Sequence, residues 1–129
     1  QMVELFRQLQ DELNVTTLYI THNLDLMAEL CDRAIVMYGG MIVEAGTVQD
    51  LFENPRHPYT RMLTDCVPRL DVEECELTVI PGMPPALGSI KGGCPFEPRC
   101  PLAFEKCRQT CPAEEAIGGH RFSCWEGER

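Results

Sequence analysis

The fold is decided by the stretch AIVMYGGMIVEA, residues 34–45. Two apolar, β-branched runs flank the pair Gly39-Gly40, and glycine readily adopts the positive φ angles that a two-residue hairpin turn requires. The stretch therefore predicts two antiparallel strands, residues 34–38 and 41–45, joined by a tight turn.

Upstream of this hairpin the pattern predicts a helix, a strand and a second helix. Residues 2–13 place leucines at helical spacing on one stripe. Residues 16–21, TTLYIT, are β-branched and aromatic, which indicates a short, largely buried strand. A second helical period follows over residues 24–31. Because so few elements are present, we interpret this part as the edge of an α/β sheet rather than a closed domain.

The composition changes at residue 55, since all ten prolines lie at or beyond that position. We therefore divide the chain into residues 1–54 and residues 55–129. Just before the division, Thr47 and Asp50 have the spacing of a capping arrangement for a short helix. The segments predicted beyond it are a brief helix at 60–66, an acidic connection at 71–76, a short strand at 77–80 and a turn-rich linker at 81–85.

The charge balance restricts the partners. A formal net charge of −9 argues against nucleic acid, because no basic face is available to replace counterions along a phosphate backbone. No apolar run is long enough to cross a bilayer. The first residues, QMVE, show no secretory leader, and the absence of Met at position 1 fits a chain that begins inside a longer protein.

Eight cysteines in 129 residues are well above ordinary usage. A disulfide framework requires an oxidising compartment, so without a secretory signal we favour metal binding in a reducing cytosol. The candidate ligands lie in loops rich in glycine and proline; they are Cys94, Cys100, Cys107 and Cys124. Four thiolates are the usual complement of a [4Fe–4S] cluster.

Zinc and disulfides stay open as alternatives. Structural zinc sites usually contain cysteine pairs separated by two to four residues, and the sole such pair here is Cys107 and Cys111. Basic residues within 91–108 would offset the negative charge of four thiolates around either metal centre; they are Lys91, Arg99, Lys106 and Arg108. We expect Cys31, Cys66 and Cys75 to have no metal role, and Trp125 to shield the cysteines from water.

Three ordered groups of residues carry a family resemblance. The runs YITHNL (19–24), CDRAIVMY (31–38) and GMIVE (40–44) resemble the end of an ABC transporter nucleotide-binding domain. The run LFENPRHPYT (51–60) resembles the oligopeptide, dipeptide and nickel branch of that family. The runs IPGMPP (80–85) and GCPFEPRCP (93–101) resemble the C-terminal extension of the same branch.

The resemblance implies roles for particular residues. His22 matches the switch histidine that contacts the γ-phosphate of ATP, which makes it the expected catalytic and nucleotide-binding residue. Asn23 departs from the aspartate more usual after that histidine. Some members of the branch bind a [4Fe–4S] cluster at positions matching the four candidate cysteines, although Cys111 has no counterpart there. We expect His57 to be structural and consider His120 a weak ligand candidate.

The resemblance also implies an overall function. The fold class is α/β: a partial nucleotide-binding-domain edge, residues 1–54, followed by a small irregular cysteine-rich extension, residues 55–129. The full-length protein would bind ATP and magnesium and hydrolyse ATP in a peptide importer. Its partners would be transmembrane permease subunits and a second ATPase subunit, and it would lie peripherally on the cytoplasmic face of the membrane.

Upstream motifs that such an ATPase needs are absent from this sequence. No glycine-rich P-loop with its lysine occurs, and neither does the family's signature sequence or its magnesium-holding acidic residues. The chain alone should therefore be inactive. Two other classes remain as alternatives: a zinc-binding interaction module and a small iron–sulfur electron carrier.

Overall fold

The computed structural model describes residues 2–67, 80–86 and 88–125. The predicted hairpin is confirmed: β1 (Arg33–Tyr38) pairs antiparallel with β2 (Met41–Thr47). Its turn residues Gly39 and Gly40 have φ angles of 56° and 82°, so each lies in the region that glycine adopts without strain. The register of the pairing shifts between Val36 and Met37, as it does at a β-bulge.

A second glycine hairpin extends the same sheet. β3 (Glu115–Ile117) pairs with β4 (His120–Phe122) across Gly118 and Gly119, whose φ angles are 57° and 87°. β4 in turn pairs antiparallel with β2, giving the strand order β1-β2-β4-β3. The cysteine-rich extension thus supplies half the strands of a four-stranded sheet, which the sequence interpretation did not anticipate.

The predicted strand at residues 16–21 is not formed. These residues connect α1 (Met2–Leu13) to α2 (Leu24–Leu30) without joining the sheet, and Leu18 and Ile20 are 84% and 95% exposed. β-Branched and aromatic residues favour extended backbone, but a strand also needs a neighbouring strand for its hydrogen bonds. Within the part of the chain that the structure describes, no such neighbour lies beside this run.

The helices after the hairpin begin at side-chain caps. α3 (Val48–Glu53) begins at Thr47, whose hydroxyl oxygen accepts a 3.0 Å hydrogen bond from the Asp50 N–H, as the sequence predicted. α4 (Pro58–Asp65) begins at His57. The extension adds a 3-10 helix (Glu97–Arg99) and α5 (Glu105–Gln109).

One hydrophobic core joins the two predicted parts of the chain. Phe96, which is fully buried, packs among residues of the hairpin and α3; the core consists of Val36, Tyr38, Val43, Leu51 and Phe96. The Phe96 ring meets Tyr38 edge to face at a centroid distance of 5.1 Å. The core therefore crosses the division that composition placed at residue 55.

Some predicted segments cannot be compared with the structure. The acidic connection at 71–76, Cys75 and all but the last residue of the predicted strand at 77–80 lie outside the described residues. Within those that are described, no helix combines the length and apolar character that crossing a membrane requires.

Candidate functional site

The four candidate cysteines line one cavity. Its wall includes Cys94, Cys100, Cys107 and Cys124. Cys94 and Cys100 flank the 3-10 helix, Cys107 lies in α5, and Cys124 follows β4. Cys111 is not among the lining residues. The structure thus brings together the four cysteines that the sequence singled out, from four separate segments.

Backbone contacts hold two of these segments against each other. The Cys94 N–H donates a 2.7 Å hydrogen bond to the Cys107 carbonyl. This approach requires glycine at position 93, because a Cβ there would lie 2.4 Å from the Arg108 carbonyl oxygen and 2.5 Å from that of Cys107. The close packing of these two segments therefore requires glycine at position 93.

The cavity disfavours uncompensated thiolates. The pKa of Cys94 is raised to about 11, chiefly by burial. A hydrogen bond from the Phe96 backbone acts to lower this pKa. The neighbouring cysteines act to raise it; they are Cys107, Cys100 and Cys111. A bound cation would reverse this preference, because thiolates are the ligating form. Among the described residues, no group of three or more His, Cys, Asp or Glu side chains has the arrangement of a metal-ion site. The donor type of the four candidate cysteines, soft sulfur, is nevertheless the type that iron–sulfur clusters and zinc take.

Nearby basic and aromatic residues are held by contacts of their own. Arg99 donates hydrogen bonds to the carbonyls of Ile80 and Pro81, at 3.0 and 2.8 Å, and to the Tyr38 hydroxyl at 3.2 Å. It therefore fastens the linker to the first hairpin. The Lys106 ammonium lies 3.7 Å from the centre of the Trp125 ring, and Trp125 lines the cavity.

His57 is buried between α4 and the cavity. Its Nδ1 accepts a 3.1 Å hydrogen bond from the Tyr59 N–H, which caps α4, and its ring lines the cysteine cavity. Its extended backbone, with φ −89° and ψ 133°, is the conformation that a following proline favours. Burial lowers the pKa of His57 to about 4, so the ring is neutral near pH 7. This capping contact agrees with the structural role expected for His57.

Sequence reasoning missed a buried carboxylate, that of Glu44. The side chain is fully buried, and its Oε1 accepts hydrogen bonds from the Arg56 N–H at 2.7 Å and from His120 Nε2 at 2.6 Å. Oε2 accepts one from the His57 N–H at 2.8 Å. His120 thus contacts Glu44 and is not among the residues that line the cysteine cavity. The available signal was a glutamate set between Val43 and Ala45 in an apolar strand.

His22 lies apart from the cysteine cavity, exposed at the start of α2. The next residue, Asn23, caps that helix: its Oδ1 accepts a 3.1 Å hydrogen bond from the Leu26 N–H. The Asn23 N–H donates to the Thr21 hydroxyl at 3.0 Å. The departure from aspartate at position 23 therefore preserves a side-chain cap. Of the other cysteines, Cys31 and Cys66 are C-caps of α2 and α4.

The family described as "Oligopeptide/dipeptide transporter, C-terminal region" matches residues 43–107, about half of the chain. The chain belongs to this family.

The similar proteins are transporter ATP-binding proteins. The oligopeptide transport ATP-binding protein OppD of Salmonella typhimurium is 42% identical over 126 residues, covering 98% of this chain and 38% of that protein. The dipeptide transport ATP-binding protein DppD of Bacillus subtilis is 43% identical over 126 residues, covering 97% and 38%. A putative peptide import ATP-binding protein of Brucella ovis is 43% identical over 129 residues, covering 95% and 38%. The chain spans under two fifths of the length of these curated relatives.

Proposed function

We propose that this chain is the C-terminal part of the ATP-binding, ATP-hydrolysing subunit of a peptide importer. The observation that carries the proposal is the similarity to peptide-transport ATP-binding proteins along nearly the whole chain. Residues 1–54 would complete the nucleotide-binding domain and residues 55–129 would form the extension. The partners would be permease subunits and a second ATPase subunit, with the protein peripheral on the cytoplasmic face of the membrane.

In this function His22 would act at the nucleotide. A neutral imidazole can donate one N–H to an oxygen of the γ-phosphate and stabilise charge as the phosphoryl group is transferred. Its exposed position at the start of α2 leaves the ring accessible to such a ligand. ATP and magnesium would be held by residues outside this sequence.

The test of His22 is ATP turnover by the intact protein. We expect His22→Ala to reduce turnover by about 10²-fold or more, in the range of a lost electrostatic contact in the transition state. Asn23→Ala is the matched control, because it removes the cap of α2 and leaves the imidazole in place. Equal losses in the two variants would assign the effect to the helix and would contradict a role of His22 at the phosphate.

For the extension we propose a [4Fe–4S] cluster held by Cys94, Cys100, Cys107 and Cys124. The supporting observation is that these four residues, and not Cys111, line one cavity. When bound, the cluster would supply a covalent cross-link among four segments, which stabilises a region with little core of its own. The cysteines' part is to present four thiolates, and that of Trp125 is to limit the access of water.

Anaerobic purification of the intact protein tests the cluster. We expect broad absorption near about 400 nm with stoichiometric iron and sulfide. Cys107→Ser should abolish the absorption, whereas Cys111→Ser should leave it unchanged. Stoichiometric zinc without that absorption would replace the cluster by a zinc site, and an effect of Cys111→Ser equal to that of Cys107→Ser would refute the assigned ligand set.

A further inference from the structure

The exposed apolar side chains lie mainly in the first third of the chain. Apart from Met83 and Ile117, every large apolar side chain that is exposed among the described residues lies between Met2 and Ile42. Single exposed apolar residues are ordinary on protein surfaces, whereas many within one segment mark an interaction surface. We call residues 2–31, the part of this region that precedes the sheet, the N-terminal segment.

The helices of the N-terminal segment lack a surface to pack on. α1 contains no buried residue, and its stripe of Leu5, Leu9 and Leu13 is 40% to 64% exposed. A helix of 12 residues is marginally stable in water by itself and depends on the packing of its apolar stripe. α2 likewise contains no buried residue. The two helices therefore present apolar surface that the rest of the described structure leaves uncovered.

A buried polar atom of the segment also lacks a partner. The Tyr19 ring meets Phe6 of α1 edge to face at a centroid distance of 6.0 Å. The Tyr19 hydroxyl oxygen is buried and has no hydrogen-bond partner among the described residues. A buried hydroxyl without a partner is costly, and native structures rarely retain one. The packing around Tyr19 therefore calls for a further polar group.

Backbone suited to strand pairing is unpaired in the same region. Residues 16–21, which are β-branched and aromatic, do not join the sheet. β1 lies at one edge of the sheet, where Ile35 and Met37 are more than half exposed. An apolar strand edge without a neighbour is a template for pairing with another strand. An element that covers this region should therefore supply a strand as well as an apolar surface.

The rest of the fold does not use this surface for its own contacts. The hydrogen bonds described for residues 2–31 are made within that segment, as in the bond from Arg7 to the Glu29 carbonyl. The hydrophobic core and the contacts of Glu44 lie within residues 33–125. The N-terminal segment is therefore available to another element.

We propose that the N-terminal segment and the outer edge of β1 form the docking surface for the polypeptide that precedes residue 1 in the intact protein. The inference rests on the function proposed above, which makes this chain part of a longer subunit. The chain covers 38% of OppD of Salmonella typhimurium, and its family is described as a C-terminal region, so more than half of such a protein lies outside this sequence. That length is ample for a domain that contributes strands.

Charge disfavours a second copy of this chain as the occupant. Arg7 is the one Lys or Arg residue of the N-terminal segment. The acidic residues of the segment are Glu4, Asp11, Glu12, Asp25 and Glu29. Two copies that met through this segment would bring like charges together, and each whole chain carries a formal net charge of −9.

Hydrogen exchange tests whether this surface is covered. Amide exchange is followed by mass spectrometry in the 129-residue chain and in the intact protein under the same conditions. Residues 16–21 should exchange about 10²-fold more slowly or slower still in the intact protein, because strand pairing protects amides that are unpaired here. β4 (His120–Phe122), which is paired within this chain, is the internal control and should exchange alike in both forms.

A matched pair of substitutions gives a second measurement. Ile20→Asp and Met83→Asp place a carboxylate at positions that are 95% and 86% exposed in this chain. In the 129-residue chain both should leave the urea midpoint unchanged. In the intact protein only Ile20→Asp should lower the midpoint, because its carboxylate would then be buried against apolar surface.

Equal exchange of residues 16–21 in the two forms would overturn the docking surface, and so would equal effects of the two substitutions on the intact protein. Protection that appears in the 129-residue chain and rises with its concentration would assign the surface to a second copy and overturn the proposal as well. ATP turnover of the same intact protein separates the surface from the proposed function. Turnover without protection refutes the surface and leaves the function standing, whereas protection without turnover refutes ATP hydrolysis and supports the surface.

Discussion

Replacing Glu44 by glutamine should destabilise the fold far more than the loss of one charge at a surface would. Both carboxylate oxygens act only as acceptors, toward the Arg56 N–H at 2.7 Å, the His57 N–H at 2.8 Å and His120 Nε2 at 2.6 Å. Glutamine keeps one acceptor oxygen and turns its other terminal group into a donor. Whichever way the amide is oriented, at least one buried N–H then faces another donor.

The magnitude follows from these contacts. A buried N–H without a partner costs about 1–3 kcal/mol, and the remaining bonds lose their charge assistance. We therefore expect Glu44→Gln to lower the free energy of unfolding by about 2–4 kcal/mol. The change would be measured from urea denaturation midpoints at constant m-value.

The matched control is Glu53→Gln. Glu53 is exposed and accepts one 3.1 Å hydrogen bond from Gln49 Nε2, so its replacement should alter stability by no more than about 0.5 kcal/mol. A double-mutant cycle of Glu44→Gln with His120→Ala should also show coupling, because the two side chains are in direct contact. Equal stability of the Glu44→Gln and Glu53→Gln proteins would refute the assignment of Glu44 as the acceptor that joins β2, α4 and β4.

Three further changes test the cysteine region. Phe96→Ala should lower the free energy of unfolding by about 3–5 kcal/mol, because it removes the ring at the centre of the shared core. Its control is Met83→Ala, which should cost under about 0.5 kcal/mol because Met83 is 86% exposed. Similar urea midpoints for the two variants would contradict the packing of Phe96. Gly93→Ala should lower the free energy of unfolding by about 1–3 kcal/mol and also lower the metal content, because the new Cβ has no room. Full metal loading at unchanged stability would argue against the close approach of the two backbone segments. In the metal-free protein His57 binds a proton near pH 6.5 when unfolded but only near pH 4 when folded. The contribution of His57 to the free energy of unfolding should therefore be fully present above about pH 6.5 and fall by about 3 kcal/mol as the pH drops to 4. Chemical denaturation at stepped pH would show this slope, and a His57→Asn protein with the same slope would exclude His57 as its source.

Local patterns predicted the local elements. The Gly39-Gly40 turn and the Thr47 cap follow from residues adjacent in sequence, and both are confirmed. The Gly118-Gly119 hairpin carried the same turn signal, yet its strands are only three residues long, Glu115–Ile117 and His120–Phe122. Strands so short have almost no alternation to detect, and their stability comes from pairing with β2, which lies some 75 residues earlier in the chain.

Some long-range features of the site could be predicted from the sequence and others could not. Spacing and residue type identified four cysteines that line one cavity, because sulfur-rich loops carry a compositional signal. The partners of Glu44 were not predictable from its neighbours, since they come from residues 56, 57 and 120. The prediction at residues 16–21 was wrong for the converse reason: composition favoured a strand, but pairing with a neighbour decides whether one forms.

Two of the contacts that join the hairpin to the cysteine region lie beside His57, and their chemistry differs. The apolar contact runs through Phe96, which packs against Tyr38 and lies beside the His57 ring. The polar contact runs through Glu44, which accepts from the His57 N–H and from His120. The ring of His57 lines the cysteine cavity, while its backbone N–H donates to Glu44 of β2. This one residue, which the sequence analysis expected to be structural, therefore contacts both the sheet and the cavity wall.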